Sequence, residues 1–120
     1  MLDHVVIGVA DLDRSRAFYE AALAPLGVSV LVDRPGYIGF GERRPFFFLA
    51  DREPTARVHV AFSAQLRADC DAFHTAAIAA GGSDNGAPGM RPNYHQHYYG
   101  AFVLDPDGNN VEAVSHAPGP

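Results

Sequence analysis

The sequence predicts an α+β fold in which two βαβββ modules pair and their strands form a curved mixed sheet around a central cup. Two observations predict this fold: the chain repeats itself once, and each copy reads as a strand, a helix and three further strands. The chain has 120 residues, of which 48% are hydrophobic and 19% charged, as is typical of one globular domain. Module 1 is predicted at about residues 1–53 and module 2 at about residues 56–116.

The repeat consists of identical residue types in one register along the first strand and helix of each half. Corresponding residues lie 55 positions apart, as His59 does from His4, and no insertion is needed between them. Identity at His, Val, Phe and Gly in a single register is hard to attribute to chance. The matching positions are His4-Val5 with His59-Val60, Ala17-Phe18 with Ala72-Phe73, Ala21-Ala22 with Ala76-Ala77, and Gly27 with Gly82.

The elements of module 1 follow from local patterns. Residues 2–9 alternate and are rich in Val and Ile, which is typical of a strand. Asp11 or Asp13 can cap the helix that follows, and Pro25 and Gly27 end it. A turn is expected at 41–44, and the remaining strands are predicted at 28–32, 37–40 and 46–50.

Module 2 repeats this order with one insertion. A strand is predicted at 57–63 and a helix at 66–80, which Gly81-Gly82 ends. Superposing the last strand of module 1 on that of module 2 leaves about nine extra residues, which we assign to an irregular loop at 84–97. The last two strands are predicted at 98–104 and 110–114, joined by a strong turn signal at 105–109.

Strand alternation places three polar residues on the face that does not meet the helices. The apolar residues of three strands face the helices, which leaves His4, His59 and Glu112 on the opposite face. In a curved sheet that face lines a cup. Singly, each residue is more often a surface residue than a ligand, but their shared face and repeat-related positions favour a metal site.

Two imidazoles and one carboxylate resemble the facial ligand set of non-haem Fe(II) and related sites. These donors suit a divalent Fe, Mn, Zn, Co or Ni ion. The remaining coordination positions would stay open for substrate or water, as a catalytic metal requires.

Residues 91–99 combine several side chains that can do chemistry, and they lead into the strand before Glu112. His95 can act as a general acid or base near neutral pH, and Arg91 can bind a carboxylate or phosphate. We expect His95 and Tyr99 to be catalytic; the alternative is a rigid surface loop in which the aromatic side chains only pack. The expected substrate contacts in this segment are Arg91, Tyr94, His97 and Tyr98.

Aromatic residues predict a partly apolar, aromatic substrate. Phe46 and Phe48 share one strand face, which we place in the cup, although a filled core is the alternative. Phe102 and Asn110 complete the expected substrate contacts. Cys70 falls on the apolar stripe of the second helix and is expected to pack in the core.

The chain resembles the vicinal oxygen chelate superfamily, which groups glyoxalase I, bleomycin-resistance proteins, extradiol dioxygenases and fosfomycin-resistance transferases. The resemblance covers nearly the whole chain and rests on Leu2-Asp3-His4-Val5, residues 11–19, His59-Val60-Ala61-Phe62 and, most specifically, residues 105–112. It implies the glyoxalase-like fold of paired βαβββ modules, a divalent metal ion and a homodimer. The family's ligand positions correspond to His4, Phe48, His59 and Glu112.

Departures from the family pattern leave the subgroup unidentified. Phe48 stands where glyoxalase I has a carboxylate ligand, and Phe can neither ligate nor move a proton, which argues against a lactoylglutathione lyase. The His-His-Glu set resembles extradiol dioxygenases and fosfomycin-resistance enzymes, but Phe102 stands where both tend to carry Tyr. Fosfomycin-resistance enzymes have a Thr where this chain has Val6, and bleomycin-resistance proteins lack the metal ligands.

Composition excludes several other classes. A net charge of −5 and a pI of about 5.5 argue against a nucleic-acid binder, which would be expected to show a basic face. No apolar run approaches the roughly 20 residues of a membrane span. The acidic start of the chain does not resemble a signal peptide, and a single Cys excludes a disulfide framework, so we expect a cytoplasmic protein.

Three functions remain open. The first is a metal-dependent enzyme that acts on a small, oxygen-chelating organic substrate. The second is a non-catalytic protein that sequesters an aromatic antibiotic or metabolite, and the third is a glyoxalase-like lyase. The modules can pair within a chain or be exchanged between the chains of a homodimer; in the exchanged case His4 of one chain meets His59 and Glu112 of the other.

Overall fold

Each half of the chain forms a four-stranded mixed sheet with one helix on one side. The structure, a computed structural model, describes residues 1–119. The α+β class and the order βαβββ in each half are confirmed. The elements are β1 (Val5–Val9), α1 (Leu12–Leu23), β2 (Ser29–Arg34), β3 (Tyr37–Gly41), β4 (Pro45–Asp51), β5 (His59–Ser63), α2 (Arg67–Ala79), β6 (Ser83–Met90), β7 (Tyr99–Leu104) and β8 (Asn110–Ser115).

The two sheets have the same topology, as the sequence repeat predicts. Their strand orders are β1-β4-β3-β2 and β5-β8-β7-β6. The first and last strands of each module pair in parallel, β1 with β4 and β5 with β8, and the other pairs are antiparallel. His4 lies one residue before β1, His59 begins β5, and Glu112 lies in β8 opposite Ala61.

The first helix begins and ends where capping chemistry predicts. Asp11 is the N-cap, and its side chain accepts a hydrogen bond from the backbone N–H of Arg14 at 3.1 Å. After Leu23 the chain tightens into a short 3₁₀ turn that contains Pro25. Gly27 follows at φ 80°, a left-handed conformation that glycine adopts without steric cost, and it redirects the chain into β2.

The prediction of an irregular loop at 84–97 is wrong for its first half. Residues 83–90 form β6, which pairs antiparallel to β7. The register shifts between Asp84 and Gly86 and again between Gly86 and Gly89, so the ladder is bulged twice. Bulges break the alternation by which a strand is recognised, and the Gly, Pro, Asp and Asn content of β6 is unusual for a strand.

One hydrophobic core joins the two modules through their helix-facing sides. The rings of Phe47 in β4 and Phe62 in β5 meet edge to face at a centroid distance of 5.2 Å. A polar contact also crosses the boundary, because the hydroxyl of Tyr19 in α1 donates to the buried Asp105 carboxylate at 2.5 Å. The turn at 105–109 is therefore fixed to the first helix.

The side of each sheet that faces away from its helix carries the predicted metal ligands. We call these sides open face 1, which includes His4 and Phe48, and open face 2, which includes His59, Phe102 and Glu112. No helix within residues 1–119 is long and apolar enough to span a lipid bilayer.

Candidate metal and substrate site

The centre of open face 2 is an imidazole paired with a buried carboxylate. Parallel pairing of β5 with β8 sets His59 and Glu112 side by side, with His59 Nε2 2.7 Å from Glu112 Oε1. The Glu112 side chain is 0% exposed, whereas that of His59 is 52% exposed. A carboxylate removed from water in this way needs strong polar partners to offset the loss of hydration.

Tyr98 supplies the second partner of that carboxylate. Its hydroxyl donates a hydrogen bond to Glu112 Oε2, so both carboxylate oxygens are engaged. Burial first, and then the contact with Glu112, raise the pKa of Tyr98 well above its ordinary value. Gly100 makes the approach possible, since a Cβ there would lie 3.1 Å from Tyr98 Cε1 and 3.2 Å from Glu112 Oε2.

Phe102 forms the floor of open face 2. It lies opposite Glu112 in the β7–β8 ladder, and its ring centre is 6.0 Å from that of His59. The guanidinium carbon of Arg91 lies over the same ring, 5.4 Å from its centre. Asn110 is paired in register with His59, and its side-chain oxygen accepts a hydrogen bond from Asn85 at 3.2 Å.

The rest of the segment 91–98 forms an aromatic cluster against Tyr98. The Tyr94 ring packs edge to face on Tyr98 at 5.1 Å. His116 lies between Tyr98 and His95, at ring-centre distances of 5.4 and 5.6 Å. His97 is 3.0 Å from the side-chain nitrogen of Gln96 and 6.2 Å, ring to ring, from His95.

Two residues beside the site, His116 and Asn85, are not indicated by the sequence patterns. His116 directly follows β8, and the antiparallel register that pairs Tyr99 with Ser115 places His116 opposite Tyr98 when it is continued by one residue, which is a consequence of strand pairing and not of local sequence pattern. Asn85 lies in β6, whose sequence predicts a loop, so alternation does not indicate which face its side chain occupies.

Tyr99, predicted as catalytic, lies on the opposite side of the sheet. Its hydroxyl donates to Asp71 Oδ1 of α2 at 2.6 Å, and this hydrogen bond is the main cause that raises the pKa of Tyr99 to about 12. Successive residues of a strand point to opposite faces. The structure therefore brings Tyr98, and not Tyr99, to Glu112.

Open face 1 carries an imidazole beside stacked aromatic rings. The His4 ring meets Phe48 edge to face at 5.7 Å, and Phe48 stacks on Tyr37 at 5.0 Å with 17° between the ring planes. These three residues line a cavity of about 370 Å³ with Arg34. Phe48 is 9% exposed because its ring packs against His4 and Tyr37, and Tyr37 and Phe48 together form an aromatic wall on this face.

Phe46 does not lie beside Phe48. The β3–β4 register shifts so that Phe46 is an extra residue between paired positions, and its ring packs toward Phe62 at 6.4 Å. A bulge of this kind re-aims a side chain, which explains why alternation misplaces Phe46.

His4 is not brought to the His59–Glu112 pair within one chain. Its Nδ1 is 2.6 Å from the neighbouring Asp3 carboxylate, and its side chain is 52% exposed. Across residues 1–119, no three His, Cys, Asp or Glu side chains are grouped so that they could hold a metal ion. The predicted ligands are thus divided between open face 1 and open face 2.

Comparison with protein-family models identifies the family of the chain. The family model described as "Glyoxalase/Bleomycin resistance protein/Dioxygenase superfamily" matches residues 1–113. The chain belongs to this superfamily. Its members generally use a divalent metal ion, usually bind small-molecule substrates and usually form dimers. No curated protein sequence matches the chain.

Solved structures of superfamily members share the fold along nearly the whole chain. A glyoxalase/bleomycin resistance protein from Albidiferax ferrireducens T118 is 33% identical with a TM-score of 0.83, over 96% of this chain and 98% of that one. A lactoylglutathione lyase from Agrobacterium tumefaciens is 23% identical with a TM-score of 0.69, over 96% and 92% of the two chains. The fosfomycin resistance protein FosX from Mesorhizobium loti is 20% identical with a TM-score of 0.73, over 98% and 93%.

Proposed function

We propose that this protein is a metal-dependent enzyme whose small organic substrate chelates a divalent ion through two oxygen atoms. One observation carries the proposal: a fully buried carboxylate and a half-exposed imidazole lie 2.7 Å apart on an open sheet face. The buried position holds the carboxylate in place, and the exposed imidazole keeps the pair accessible from outside.

The donor set fits a divalent transition metal. Neutral imidazole and carboxylate suit Fe, Mn, Zn, Co and Ni. Two ligand atoms about 2.1 Å from one ion and at right angles to each other are about 3 Å apart, close to the separation of His59 Nε2 and Glu112 Oε1. When bound, such an ion polarises substrate oxygens and stabilises an enolate-like or oxyanion charge.

We further propose that the third ligand is His4 of the partner subunit in a homodimer with exchanged modules. Each chain carries half of what the site needs. Open face 1 offers an exposed imidazole beside an aromatic wall, and open face 2 offers an imidazole, a carboxylate and a guanidinium. His4 is not grouped with the other ligands in its own chain. A dimer in which the modules of two chains pair would bring His4 of one chain to His59 and Glu112 of the other.

The chain's own residues then have distinct roles. Tyr98 orients Glu112 by holding Oε2, which leaves Oε1 directed at His59. Phe102 of one chain and the stacked Phe48 of the other form apolar walls of the substrate site, so an aromatic or partly apolar substrate is favoured. His95, which the His116 ring separates from Tyr98, remains the candidate general acid or base.

The stacked pair of Tyr37 and Phe48 supports a second candidate function, the sequestration of an aromatic antibiotic or metabolite. Two rings 5.0 Å apart and nearly parallel present a flat surface on which a planar ligand can stack. This function needs the aromatic wall and does not need the metal ligands. A glyoxalase-like lyase is disfavoured by Phe48, which has no group that could ligate a metal or move a proton.

Metal content separates these functions. We expect the wild-type protein to bind about one divalent ion per chain, and His59→Ala and Glu112→Gln to weaken binding by about 10–100-fold or more. His74→Ala is the matched control, because His74 pairs with Asp84 away from both open faces. Equal metal binding by all three variants and the parent contradicts the proposal.

Ligand and substrate assays address the alternatives. Binding of an aromatic ligand that survives a chelator and the Glu112→Gln substitution would support sequestration. Turnover of the methylglyoxal–glutathione hemithioacetal by the wild-type protein would support a lyase.

A further inference from the structure

We propose that Arg91 forms an anion subsite beside the metal ligands, so that the substrate carries a carboxylate, phosphate or phosphonate group in addition to its chelating oxygens. This inference deepens the proposed function and rests on it. It is drawn from the way the fold seats one guanidinium on open face 2.

The position of the Arg91 guanidinium depends on two glycines beside it. A Cβ on Gly86 would lie 3.3 Å from Arg91 Nη2, and a Cβ on Gly89 would lie 3.1 Å from Nη1. The Ala87 carbonyl accepts from Nη2 at 2.7 Å, and the Phe102 ring lies beneath the guanidinium at 5.4 Å. The bulged strand β6 thus holds the cation flat against the floor of the open face, where stacking on an aromatic ring favours arginine.

The Arg91 guanidinium has N–H donors that the protein does not use. Its two protein acceptors are the carbonyls of Ala87 and Met90, which leaves three of its five N–H donors. Within residues 1–119, Arg91 forms no ion pair with a carboxylate. A planar guanidinium with unused donors matches the geometry of a carboxylate or phosphate oxyanion.

Arg91 lies close to the predicted metal ligand His59. Arg91 and His59 contact the same Phe102 ring, with distances of 5.4 and 6.0 Å to its centre. Arg91 Cζ and the His59 ring centre are therefore no more than 11.4 Å apart, a distance that one small organic molecule can span. The charges of open face 2 also favour an anionic substrate. The positive charge of Arg91 and the negative charge of Glu112 cancel, so a bound divalent ion would leave this face with a net positive charge.

Three related chelators test the subsite on the metal-loaded protein by calorimetry. Acetohydroxamate, malonohydroxamate and phosphonoacetohydroxamate present the same chelating group, and the second and third add a carboxylate and a phosphonate. We expect at least one of the two anionic compounds to bind about tenfold or more tightly than acetohydroxamate. The tighter of the two identifies which oxyanion the subsite prefers.

Matched variants locate the effect. Arg91→Gln should reduce the preference to about twofold or less without lowering metal affinity, whereas Arg14→Gln removes an exposed charge on α1 and should change neither quantity. No preference in the wild-type protein, or a full preference in Arg91→Gln, overturns the subsite and leaves the proposed function standing.

A second measurement does not need the metal. In the apo protein, the side-chain Nε–H signal of Arg91 should shift saturably with inorganic phosphate or acetate at constant ionic strength, and that of Arg14 should not. Failure to bind metal would refute the proposed function, and this titration would still decide the subsite: the absence of a saturable Arg91 shift counts against it.

Discussion

Replacing Tyr19 with Phe removes one hydroxyl from the boundary between the modules. In the folded protein that hydroxyl donates to Asp105 Oδ2 at 2.5 Å, and both residues are buried. The other oxygen of Asp105 accepts from the backbone N–H groups of Asp107 and Asn109, each at 2.9 Å. Tyr19→Phe therefore leaves one oxygen of a buried carboxylate without its partner and retains all ring packing.

The expected cost follows from the charge of the acceptor. A hydrogen bond to a charged group contributes about 1.5–3 kcal/mol, and a buried group left without its partner loses its hydration as well. We therefore expect the free energy of unfolding to fall by about 2–3 kcal/mol. For a domain of this size, that corresponds to a decrease in Tm of roughly 6–12 °C.

Urea unfolding followed by circular dichroism measures this change, with Tyr99→Phe as the matched control. Tyr99 also donates to an Asp carboxylate, but that contact is exposed, so its loss should cost less than about 1 kcal/mol. The slope of unfolding against urea should be unchanged in both variants. Equal destabilisation by the two substitutions, or a loss below about 0.5 kcal/mol for Tyr19→Phe, would refute the inter-module role of this hydrogen bond.

Three further outcomes are expected. Tyr98→Phe should weaken Co²⁺ binding by about 10-fold or more in calorimetry because it frees Glu112 Oε2, and an unchanged affinity would exclude a positioning role. Gly82→Ala should lower the free energy of unfolding by about 1–3 kcal/mol or more, since its Cβ would lie 2.5 Å from Val103 Cγ1; a neutral effect in urea unfolding would contradict the close packing there. Burial, and then the nearby aspartates, raise the pKa of Cys70 from 9.0 to about 11, so the unfolded chain ionises first as pH rises and stability should fall between pH 9 and 11. Urea midpoints across that pH range should decline less steeply in Cys70→Ala than in the wild-type protein. Parallel declines in the two proteins would show that Cys70 ionisation does not cause the loss of stability.

The fold was predictable because its signals are periodic. Alternation with period 2 placed His59 and Glu112 on one face, and parallel pairing of β5 with β8 then set them side by side. The repeat predicted that both modules share a topology, which the strand orders confirm. Alternation and the repeat can be found in the sequence, whereas the pairing of His59 with Asn110 across β5 and β8 joins residues 51 positions apart and is a feature of the fold.

The errors occur where the pattern is locally broken. β6 is bulged on both sides of Gly86, so it reads as a loop, and the bulge at Phe46 turns that ring away from Phe48. Tyr98 and Tyr99 are adjacent and chemically identical, and their faces depend on where β7 begins. Whether a second copy of the chain covers an open face depends on tertiary and quaternary packing, and no residue pattern in one chain specifies it.

The most direct test of a metal site shared between two chains is a mixing experiment with complementary variants. His4→Ala and Glu112→Gln each damage both sites of their own homodimer, but a hybrid of the two has one site with every ligand intact. At a metal concentration that saturates only the wild-type protein, neither variant alone should bind. After unfolding and refolding together, about one site in four should be restored, since about half of the dimers are hybrids. No recovery of metal binding in the mixture, with both variants folded, would contradict a site built from His4 of one chain and the His59–Glu112 pair of the other.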